Sequence, residues 1–392
     1  MKKVLYFHQY FNTPAMGGSI RSYELAMEMS DIYHVTVITS DRLESSNFVR
    51  IENFSPTFRI VWIPNKYSNM MGSVKRIFSF CAFVLKSIKY SLTEKADIVI
   101  CTSTPLTIAI PGLLHKLRFG SKFIFEVRDS WPKVPIKLGL LKNKVLIFLA
   151  QVLEKLTYEY ADDVIALSPG MASDVRSVNP TCRITVIPNF CNKIDINQIK
   201  CFHFNDDIES GGAVILYAGT FGYVNNMDYI IDLAFALVGY EYKFVLVGDG
   251  KYKSETTSRA QRLGLLNRNV FIFDAVDKLT VYSMIKRSDF MISTVVDQSV
   301  MWANSANKFF DALAFSKPVI INHGGWLSEL IMENNIGLVL DPIVTSSSVE
   351  KITGTSSESR IEMSNGIGNL SEGEFSFSSI YTKYEALLER NT

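Results

Sequence analysis

"NKFFDALAFSKPVIINHGGW", residues 307–326, carries the pattern on which the fold prediction depends. Apolar residues at helical spacing predict a helix that begins near Ala306. Proline disfavours helical geometry in the residue before it, so we expect the helix to stop at Ser316-Lys317-Pro318. The run Val319–Ile321 that follows is apolar throughout, which is typical of a strand covered on both faces. A helix, a short turn and a buried strand in this order indicate a parallel α/β sheet.

The same alternation of strands and helices runs through the chain in two series. The first series predicts strands at Val4–Tyr10, His34–Ser40, Ile60–Ile63, Ile98–Thr102, Phe123–Val127, Val164–Leu167 and Thr185–Ile187. The second predicts strands at Val214–Ala218, Lys243–Val247, Val270–Phe273, Phe290–Ser293, Val319–Ile321 and Gly337–Leu340. We therefore predict an α/β protein with two Rossmann-like domains, at 1–192 and 213–372, joined by a polar linker at 193–212. Apolar residues at helical spacing predict a final helix within 373–392.

The bulk composition excludes several classes of protein. Of the 392 residues, 47% are hydrophobic and 20% are charged, which favours a large buried core. The formal net charge of +1 gives no general electrostatic reason to expect nucleic acid as a partner. Five cysteines without a CxxC pair argue against a disulfide framework and favour the reducing cytoplasm. The start "MKKVLYFHQYF" predicts a first strand and not a signal peptide, and no apolar run approaches the ~20 residues that span a bilayer.

One helical stretch, "VKRIFSFCAFVLKSIKY" at 74–90, combines aromatic and aliphatic bulk with basic residues. Its cations are Lys75, Arg76, Lys86 and Lys89. This composition fits a helix that lies on an anionic membrane surface. It equally fits an amphipathic helix packed on its own sheet with the basic tips exposed, and the residues alone leave both interpretations open.

Glycine-containing loops follow strand ends in both series. The glycines are Gly17, Gly18, Gly219, Gly222, Gly248 and Gly250. Glycine lets backbone amides approach a phosphate, and the N-terminus of a following helix adds a partial positive charge. Arg21 lies in the first turn of the helix after Gly18 and would add a cation. The alternative is that these loops only connect elements; their spacing is not the GxGxxG fingerprint, which disfavours a nicotinamide enzyme.

Charged side chains stand at the end of the predicted strand Phe123–Val127. Arg128 and Asp129 follow it directly, and Trp131-Pro132 would stiffen the loop. Because ligands bind at the carboxyl ends of strands in open α/β sheets, we expect both side chains at a functional site. A local Arg–Asp ion pair that only holds the loop is the alternative.

Lys308 and Asp311 lie one turn apart in the otherwise apolar helix of the opening stretch. A cation at a helix N-terminus suits phosphate, and a carboxylate accepts hydrogen bonds from a ribose diol. A surface pair worth only ~0.2–0.5 kcal/mol is the alternative. The sequence contains no Asp-x-Asp pair and no His/Cys cluster with ligand spacing, so we expect no bound metal in the chemistry.

Taken in order, eight segments resemble retaining glycosyltransferase family four. Seven are "GGSIRSYELA", "FEVRDSWP", "ALSPGM", "VIPNF", "YAGTFG", "LVGDG" and "NKFFDALAFSKPVI", and the first strand precedes them. The likeness runs over nearly the whole chain. It is closest to the bacterial branch regarded as N-acetyl-L-fucosaminyl transferases of O-antigen and capsule assembly.

The resemblance implies the GT-B fold, in which two Rossmann-like domains with parallel sheets face a central cleft. A C-terminal helix would cross back to the first domain. It also implies a retaining, metal-independent hexosyltransferase that needs no cofactor. The C-terminal domain would bind a nucleotide-diphosphate sugar, UDP-linked, and the N-terminal domain would take a polyprenyl-diphosphate-linked sugar acceptor. Such an enzyme would work in the cytoplasm, peripherally on the inner membrane, and this implication favours the membrane interpretation of 74–90.

The resemblance also implies roles for individual residues. It implies that Lys308 lies beside the diphosphate, that Asp311 binds ribose, and that Gly17 and Gly18 cover the phosphates and the donor sugar. The expected catalytic residues are Asp129, Arg128 and Gly18. The expected donor-binding residues are Gly17, Gly18, Arg21, Gly219, Thr220, Gly222, Gly248, Gly250, Val276, Asn304, Asn307, Lys308 and Asp311.

The chain departs from the family pattern at several of these positions. The first glutamate of the family's E-x7-E motif falls at Ala303, with Asn304 or Ser305 as possible substitutes, and the second is shortened to Asp311. The usual Arg and Lys after the "YAG" strand appear as Thr220 and Asn225. These departures put the donor sugar in doubt. They also keep two alternatives open: a nucleotide-sugar epimerase of the same fold, and a catalytically silent homologue that only binds nucleotide-sugar.

Overall fold

The computed structural model describes residues 1–42, 48–68, 71–191, 199, 202–209 and 212–390, and it contains two compact units. Unit 1 comprises Met1–Asn12, Ser19–Pro188 and the chain from Tyr381 onward. Unit 2 comprises Thr13–Gly18 and Asn189–Ile380. The chain enters the main part of unit 2 at Asn189 and returns to unit 1 at Tyr381. Ten of the twenty residues of the predicted linker at 193–212 lie outside the described residues.

Unit 1 is built on an eight-stranded sheet in the order β3-β4-β2-β1-β5-β6-β7-β8. Every neighbouring pair is parallel except β3 and β4, which pair antiparallel at one edge. The strands are β1 Lys3–Phe7, β2 His34–Asp41, β3 Arg50–Ser55, β4 Phe58–Pro64, β5 Ile98–Thr102, β6 Lys122–Val127, β7 Asp163–Ala166 and β8 Ile184–Val186. The central strands are buried because helices cover both faces of the sheet, which is why they are apolar without alternation.

The helices of unit 1 connect these strands. They are α1 Arg21–Met29, α2 Ser73–Thr93, α3 Ala109–Phe119, α4 Lys133–Lys137, α5 Lys144–Tyr160 and α6 Pro169–Val178. Local sequence fixes several of their ends. The side chain of Asn143 accepts hydrogen bonds from the first turn of α5, and Ser168 caps α6 ahead of a proline at its first position. α2 and α5 both pack beside α3.

Unit 2 contains a six-stranded, wholly parallel sheet in the order β11-β10-β9-β12-β13-β14. Its strands are β9 Ala213–Ala218, β10 Tyr242–Val247, β11 Val270–Phe273, β12 Phe290–Ser293, β13 Val319–Ile321 and β14 Gly337–Val339. Its helices are α7 Asp206–Glu209, α8 Met227–Ala236, α9 Lys253–Arg262, α10 Lys278–Arg287, α11 Asn307–Ala314, α12 Trp326–Asn334, α13 Ser346–Thr353 and α14 Ser357–Asn369. The last helix, α15 Phe377–Glu389, begins in unit 2 and ends in unit 1.

An apolar layer covers each face of the sheet in unit 2. Ile215 and Tyr217 of β9 belong to one layer, and Val214 and Leu216 belong to the other. Successive side chains of a strand point to opposite faces, so a strand between two layers must be apolar at every position. The Phe309 side chain of α11 is fully buried in the second of these layers, which fixes how the helix sits on the sheet.

The structure confirms the predicted fold class, with two sheets dominated by parallel strands. It adds one strand that the sequence analysis missed, the edge strand β3, in which no residue is buried and which therefore carries no core pattern. It also ends β1 at Phe7, three residues before the predicted end at Tyr10. None of the helices in the described part of the chain is long and apolar enough to cross a membrane.

Candidate active site

The loops after β9 and β10 in unit 2 lie backbone against backbone. A Cβ atom added to Gly248 would stand 1.8 Å from the carbonyl oxygen of Gly219, and one added to Gly250 would stand 2.5 Å from that of Phe221. Both glycines have φ near +150°, a backbone conformation that side chains rarely adopt. Glycine is therefore required at both positions for the two loops to touch, and the touching loops form a shelf at the carboxyl end of the sheet.

The side chain of Lys308 reaches this shelf from the first turn of α11. A Cβ atom on Gly219 would lie 2.7 Å from its Cε, so the missing side chain of that glycine makes room for the lysine. Its Nζ lies 4.8 Å from the ring centroid of Tyr217 and 3.4 Å from Oδ1 of Asn225. Burial lowers the pKa of Lys308 to about 8, and the attraction of Asp311 only partly opposes this. The result is a desolvated amine that an incoming anion would favour in its charged form.

Asp311, one turn further along α11, is engaged by a lysine that the sequence analysis did not consider. Nζ of Lys278 donates to both carboxylate oxygens of Asp311, at 2.8 and 2.7 Å. Both residues are buried, and the same ammonium group lies 4.8 Å from the ring centroid of Tyr282. The carboxylate thus has a fixed structural partner, and its expected contact with ribose stays a prediction.

Several other expected donor-site residues lie around the same sheet edge. Gly17, which is grouped with unit 2, lies close to Val276: a Cβ atom on it would stand 3.1 Å from the Val276 carbonyl oxygen. Gly18 has φ of +104°. A Cβ atom on Gly222 would stand 3.3 Å from Nδ2 of Asn225, whose Oδ1 contacts Lys308.

The remaining expected residues frame the start of α11 and the loop after β9. The carbonyl of Thr220 accepts a hydrogen bond of 2.6 Å from the hydroxyl of Tyr217, which orients the ring beneath Lys308. The carbonyl of Asn304 accepts one of 2.8 Å from the indole of Trp326. Asn307 is the first residue of α11, next to Lys308. The structure thus brings the glycine loops and the start of α11 into one cluster.

Arg21, the other expected phosphate ligand, lies in unit 1 and is held there by three protein residues. Its guanidinium is buried and lies 2.9 Å from the carboxylate of Glu126. It also donates to the carbonyls of Pro188 and Ile187, at 2.6 and 3.1 Å. In the structure Arg21 therefore anchors the end of unit 1, where the chain leaves for unit 2, and its expected phosphate contact stays a prediction.

Glu126 is fully buried at the end of β6. Burial raises the pKa of Glu126, but the guanidinium groups of Arg21 and Arg128 and the hydroxyl of Thr102 outweigh it and leave this pKa below its usual value. Glu126 is therefore ionised near neutral pH. Because Tyr6 also donates to this carboxylate, at 3.5 Å, the network ties β1, β5, β6 and α1 together.

Arg128 and Asp129 stand at the end of β6 as predicted, but with separate partners. Arg128 donates to the hydroxyl of Ser19, at 3.1 Å, and its Nη1 lies 3.5 Å from Nε2 of His8. Asp129 is exposed and accepts a hydrogen bond from the hydroxyl of Thr104. Arg128 and Asp129 do not pair with each other, so the alternative of a local ion pair that only holds the loop is not supported.

His8 is the further candidate that the sequence analysis missed in unit 1. Burial, and then the cation of Arg128, hold the pKa of His8 well below its usual value, so the imidazole is neutral. Its Nδ1 has no hydrogen-bond partner within the described residues. The sequence does contain a signal for His8, because this histidine follows the first strand directly. Parallel strands bring their carboxyl ends to one sheet edge, where ligands bind.

The described residues contain no group of three or more His, Cys, Asp or Glu side chains arranged to hold a metal ion. The cluster in unit 2 offers a cation, a helix N-terminus and backbone groups of glycine loops. These groups suit the recognition of a phosphate or diphosphate.

Comparison with known proteins shows two family models on the chain. Residues 17–189 match the glycosyl transferase 4-like domain, and residues 199–366 match glycosyl transferases group 1. No curated protein matches the chain by sequence.

Solved structures of similar fold cover nearly the whole chain at low identity. Sucrose-phosphate synthase from Thermosynechococcus elongatus has a TM-score of 0.76 at 16% identity, with 99% of this chain and 98% of that chain covered. WaaG, a glycosyltransferase involved in lipopolysaccharide biosynthesis, has a TM-score of 0.68 at 15% identity, with 99% and 100% covered. HepE of Anabaena, solved in complex with UDP and glucose, has a TM-score of 0.68 at 16% identity, with 99% of each chain covered.

Proposed function

Because this chain belongs to the group 1 and 4-like glycosyltransferases and has the GT-B fold, we propose that it moves a hexose from a UDP-sugar to a lipid-linked sugar acceptor. One observation carries the donor half of this proposal. The amine of Lys308 is desolvated beside Gly219 and the Tyr217 ring, in the first turn of α11. A diphosphate at this point would receive the helix N-terminus, a cation and the backbone groups of two glycine loops.

The choice of UDP as the nucleotide rests on proteins of similar fold. HepE has been solved with UDP and with UDP-glucose, and a trehalose-6-phosphate synthase with UDP-2-fluoro glucose. We propose N-acetyl-L-fucosamine as the transferred sugar, on the strength of the sequence resemblance alone. Gly17, near Val276, and Gly18 would lie beside the phosphates and the donor sugar.

In the proposed reaction the acceptor hydroxyl attacks the anomeric carbon from the face that the UDP leaves. The leaving diphosphate takes the hydroxyl proton, and the anomeric configuration is retained. The chain's own part is electrostatic, since Lys308 and the α11 N-terminus stabilise the negative charge that develops on the departing diphosphate. Arg128 and Asp129 in unit 1 would orient the acceptor. No metal ion is assigned to this step, and we expect turnover to persist when divalent cations are chelated.

The membrane half of the proposal rests on exposed apolar surface in unit 1. On α2, Phe78 and Leu85 are each 71% exposed, and Lys75, Lys86 and Lys89 are exposed on the same helix. Apolar side chains flanked by lysines fit an anionic bilayer surface, where the rings and aliphatic chains enter the lipid and the cations meet the head groups.

A second exposed apolar face runs along α5, which the sequence analysis had not singled out for the membrane. Val145 and Phe148 are exposed by 65% and 63%, and Leu149, Val152 and Leu156 continue the same face. α3 lies between α2 and α5 and adds Leu117, which is 75% exposed. We assign the three helices to the cytoplasmic face of the inner membrane, where a polyprenyl-diphosphate-linked acceptor of O-antigen or capsule synthesis would be found.

A thermal-stability screen of nucleotide-sugars tests the proposal. A ligand that binds only the native state raises the melting temperature, and the increase identifies the nucleotide and the sugar. UDP-sugars should stabilise the protein, and the best of them should release UDP when a lipid-linked acceptor is added, with or without a chelator. Interconversion of free UDP-sugars would indicate an epimerase, and binding without turnover a silent homologue; either outcome would overturn the proposed transfer.

A further inference from the structure

Unit 1 contains a cavity of about 250 Å³ among α4, α5, α6 and the end of β6. Its volume lies below the ~300–1,000 Å³ of pockets that bind drug-sized ligands, so it has room for one small ring. Ser130, directly after Asp129 in the chain, lines one side of it. The proposed function does not use this cavity.

One buried polar group in the cavity wall lacks a partner. Ser130 is 6% exposed, and its hydroxyl makes no hydrogen bond within the part of the chain that the structure describes. Leaving a buried hydroxyl unsatisfied costs ~1–3 kcal/mol. A ligand in the cavity would supply the missing hydrogen bond once the Ser130 side chain rotates about its Cα–Cβ bond, because the hydroxyl oxygen is buried in the rotamer shown.

Another part of the lining, on α5, supplies groups that donate and accept hydrogen bonds. Glu154 lines the cavity and is hydrogen-bonded to the hydroxyl of Tyr158, one turn further along α5. Burial, reinforced by the nearby carboxylate of Asp174, raises the pKa of Glu154 to about 7. Near neutral pH this carboxyl therefore both accepts and donates hydrogen bonds, as a sugar hydroxyl also does.

The charge and the apolar part of the lining narrow the ligand class. Lys133 forms an ion pair with Asp174, and the second lysine of the lining, Lys137, is matched by the carboxyl group of Glu154 when that group is ionised, so the lining has no formal net charge. Val127, Ile136 and Val175 supply apolar surface. A balanced charge gives no preference for a phosphate or an amine, whereas mixed polar and apolar walls suit the hydroxyls and the C–H faces of a sugar ring.

We propose that this cavity binds one neutral sugar ring of the acceptor, held by Ser130 and Glu154. The assignment of the ring to the acceptor rests on the proposed function; the binding of a sugar does not. The position agrees with this role, because Ser130 adjoins Asp129 in the chain and α5 carries the proposed lipid-facing side chains on its exposed surface.

A pair of tryptophan variants on α6 tests the proposal. Ser177 is exposed and lines the cavity, so Ser177→Trp should fill the cavity, whereas Ser173→Trp places the same bulk on an exposed part of the helix away from the lining. The probes are the methyl glycosides of glucose, galactose, N-acetylglucosamine and N-acetylgalactosamine, followed by saturation-transfer NMR. At least one glycoside should bind the wild type and the Ser173→Trp variant, and its signal should vanish with Ser177→Trp.

Two smaller changes test the named contacts. Ser130→Ala should raise the melting temperature of the ligand-free protein, because it removes the unsatisfied hydroxyl, and should weaken glycoside binding about tenfold. Glu154→Gln should also weaken it about tenfold, while Glu159→Gln, at an exposed position on the same helix, should not change it.

The outcomes separate this inference from the proposed function. If no glycoside binds the wild type, if binding survives Ser177→Trp, or if inorganic phosphate or methylammonium competes with the glycoside, the cavity is not a sugar site. Stabilisation by UDP should be equal in all variants, since Lys308 lies in unit 2. Failure of UDP to stabilise any of them, with glycoside binding still lost in Ser177→Trp, would overturn the UDP-sugar proposal and leave the sugar site standing.

Discussion

Lys308 is the residue on which the proposed donor site depends. Because the pKa of its ammonium group is shifted, its role can be tested by varying the pH. Burial lowers this pKa from 10.5 to about 8, so between these values the unfolded chain binds more protons than the folded one. The contribution of this group to stability therefore rises with pH from about 8 to 10.5. Ligand binding has the opposite sign, because a phosphate prefers the protonated amine.

We expect UDP affinity to be flat below pH 8 and to fall above it, approaching tenfold per pH unit. Titration calorimetry at a series of pH values from 7 to 9 measures this. The Lys308→Arg variant keeps its charge throughout this range and should lose the break in the profile. Equal slopes in the two proteins would show that Lys308 does not govern binding.

The buried pair of Asp311 and Lys278 gives a second test at the residue scale. Asp311→Asn leaves the Lys278 ammonium buried without its counter-charge, which should cost ~3–5 kcal/mol in urea unfolding. The double variant with Lys278→Met should recover most of this loss, since a thioether of similar length needs no counter-charge. UDP affinity of the stable double variant then decides the ribose prediction: a large loss supports a ribose contact, and an unchanged value discards it.

Residue roles were predictable where a local pattern carried them and not where distant segments meet. The cation at the start of α11 could be expected from the position of Lys308 before an apolar helix. The partners of Arg21 and Asp311 could not, because Glu126 lies 105 residues from Arg21 and Lys278 lies 33 residues from Asp311. A buried pair of this kind leaves no spacing signal along the chain.

Among the structural elements, the touching loops after β9 and β10 set the shape of the donor site. Gly248→Ala would combine an unfavourable positive φ with a Cβ atom 1.8 Å from a carbonyl oxygen, so we expect a loss of ~3 kcal/mol or more and weaker UDP binding. Gly368→Ala is the control, because this glycine lies in α14 with no atom within 4 Å of an added Cβ. It should be neutral or stabilise by ~0.5–1 kcal/mol in the same melts. Equal effects of the two changes would contradict the tight loop contact.

The exposed faces of α5 and α2 predict binding to lipid. Phe148→Ser, Leu149→Ser and Val152→Ser together should reduce binding to anionic vesicles at least tenfold, because each removes apolar surface that would enter the bilayer. Replacing Lys75, Lys86 and Lys89 of α2 by Gln should weaken the same binding and its salt dependence. Vesicle sedimentation measures both.

The control for the apolar change is Phe235→Ser on α8 of unit 2, where the ring is 54% exposed and outside the proposed surface. This variant should sediment with vesicles like the wild type. If the α5 variant and the control sediment with vesicles to the same extent, the proposal that α5 binds lipid is wrong.

Elements with strong periodicity were predictable because buried parallel strands are apolar and their helices are amphipathic. α11 and β13 lie where the opening stretch predicts them. The strand β3 was missed because none of its residues is buried, so its sequence follows no core pattern. The apolar face of α5 was missed for the opposite reason, since an apolar stripe on a helix normally indicates core packing.

At the scale of the whole molecule, the two units are not two continuous stretches of the chain. The two sheets were predictable from the two series of strands. The short segment Thr13–Gly18 is grouped with unit 2 although it lies within the first series, and the chain returns to unit 1 inside α15. The family resemblance implied the return of the last helix to the first domain. The grouping of Thr13–Gly18 with unit 2 depends on contacts between distant residues, which composition and periodicity do not encode.

The central claim is that Lys308 in unit 2 holds the diphosphate of a UDP-sugar. Titration calorimetry of UDP with the wild type, Lys308→Ala and Lys251→Ala tests it most directly, because Lys251 is exposed at the neighbouring glycine loop and controls for a general loss of positive charge. We expect Lys308→Ala to bind UDP about 30-fold more weakly, equivalent to ~2 kcal/mol, while Lys251→Ala binds like the wild type. The same Kd in all three proteins would contradict the account.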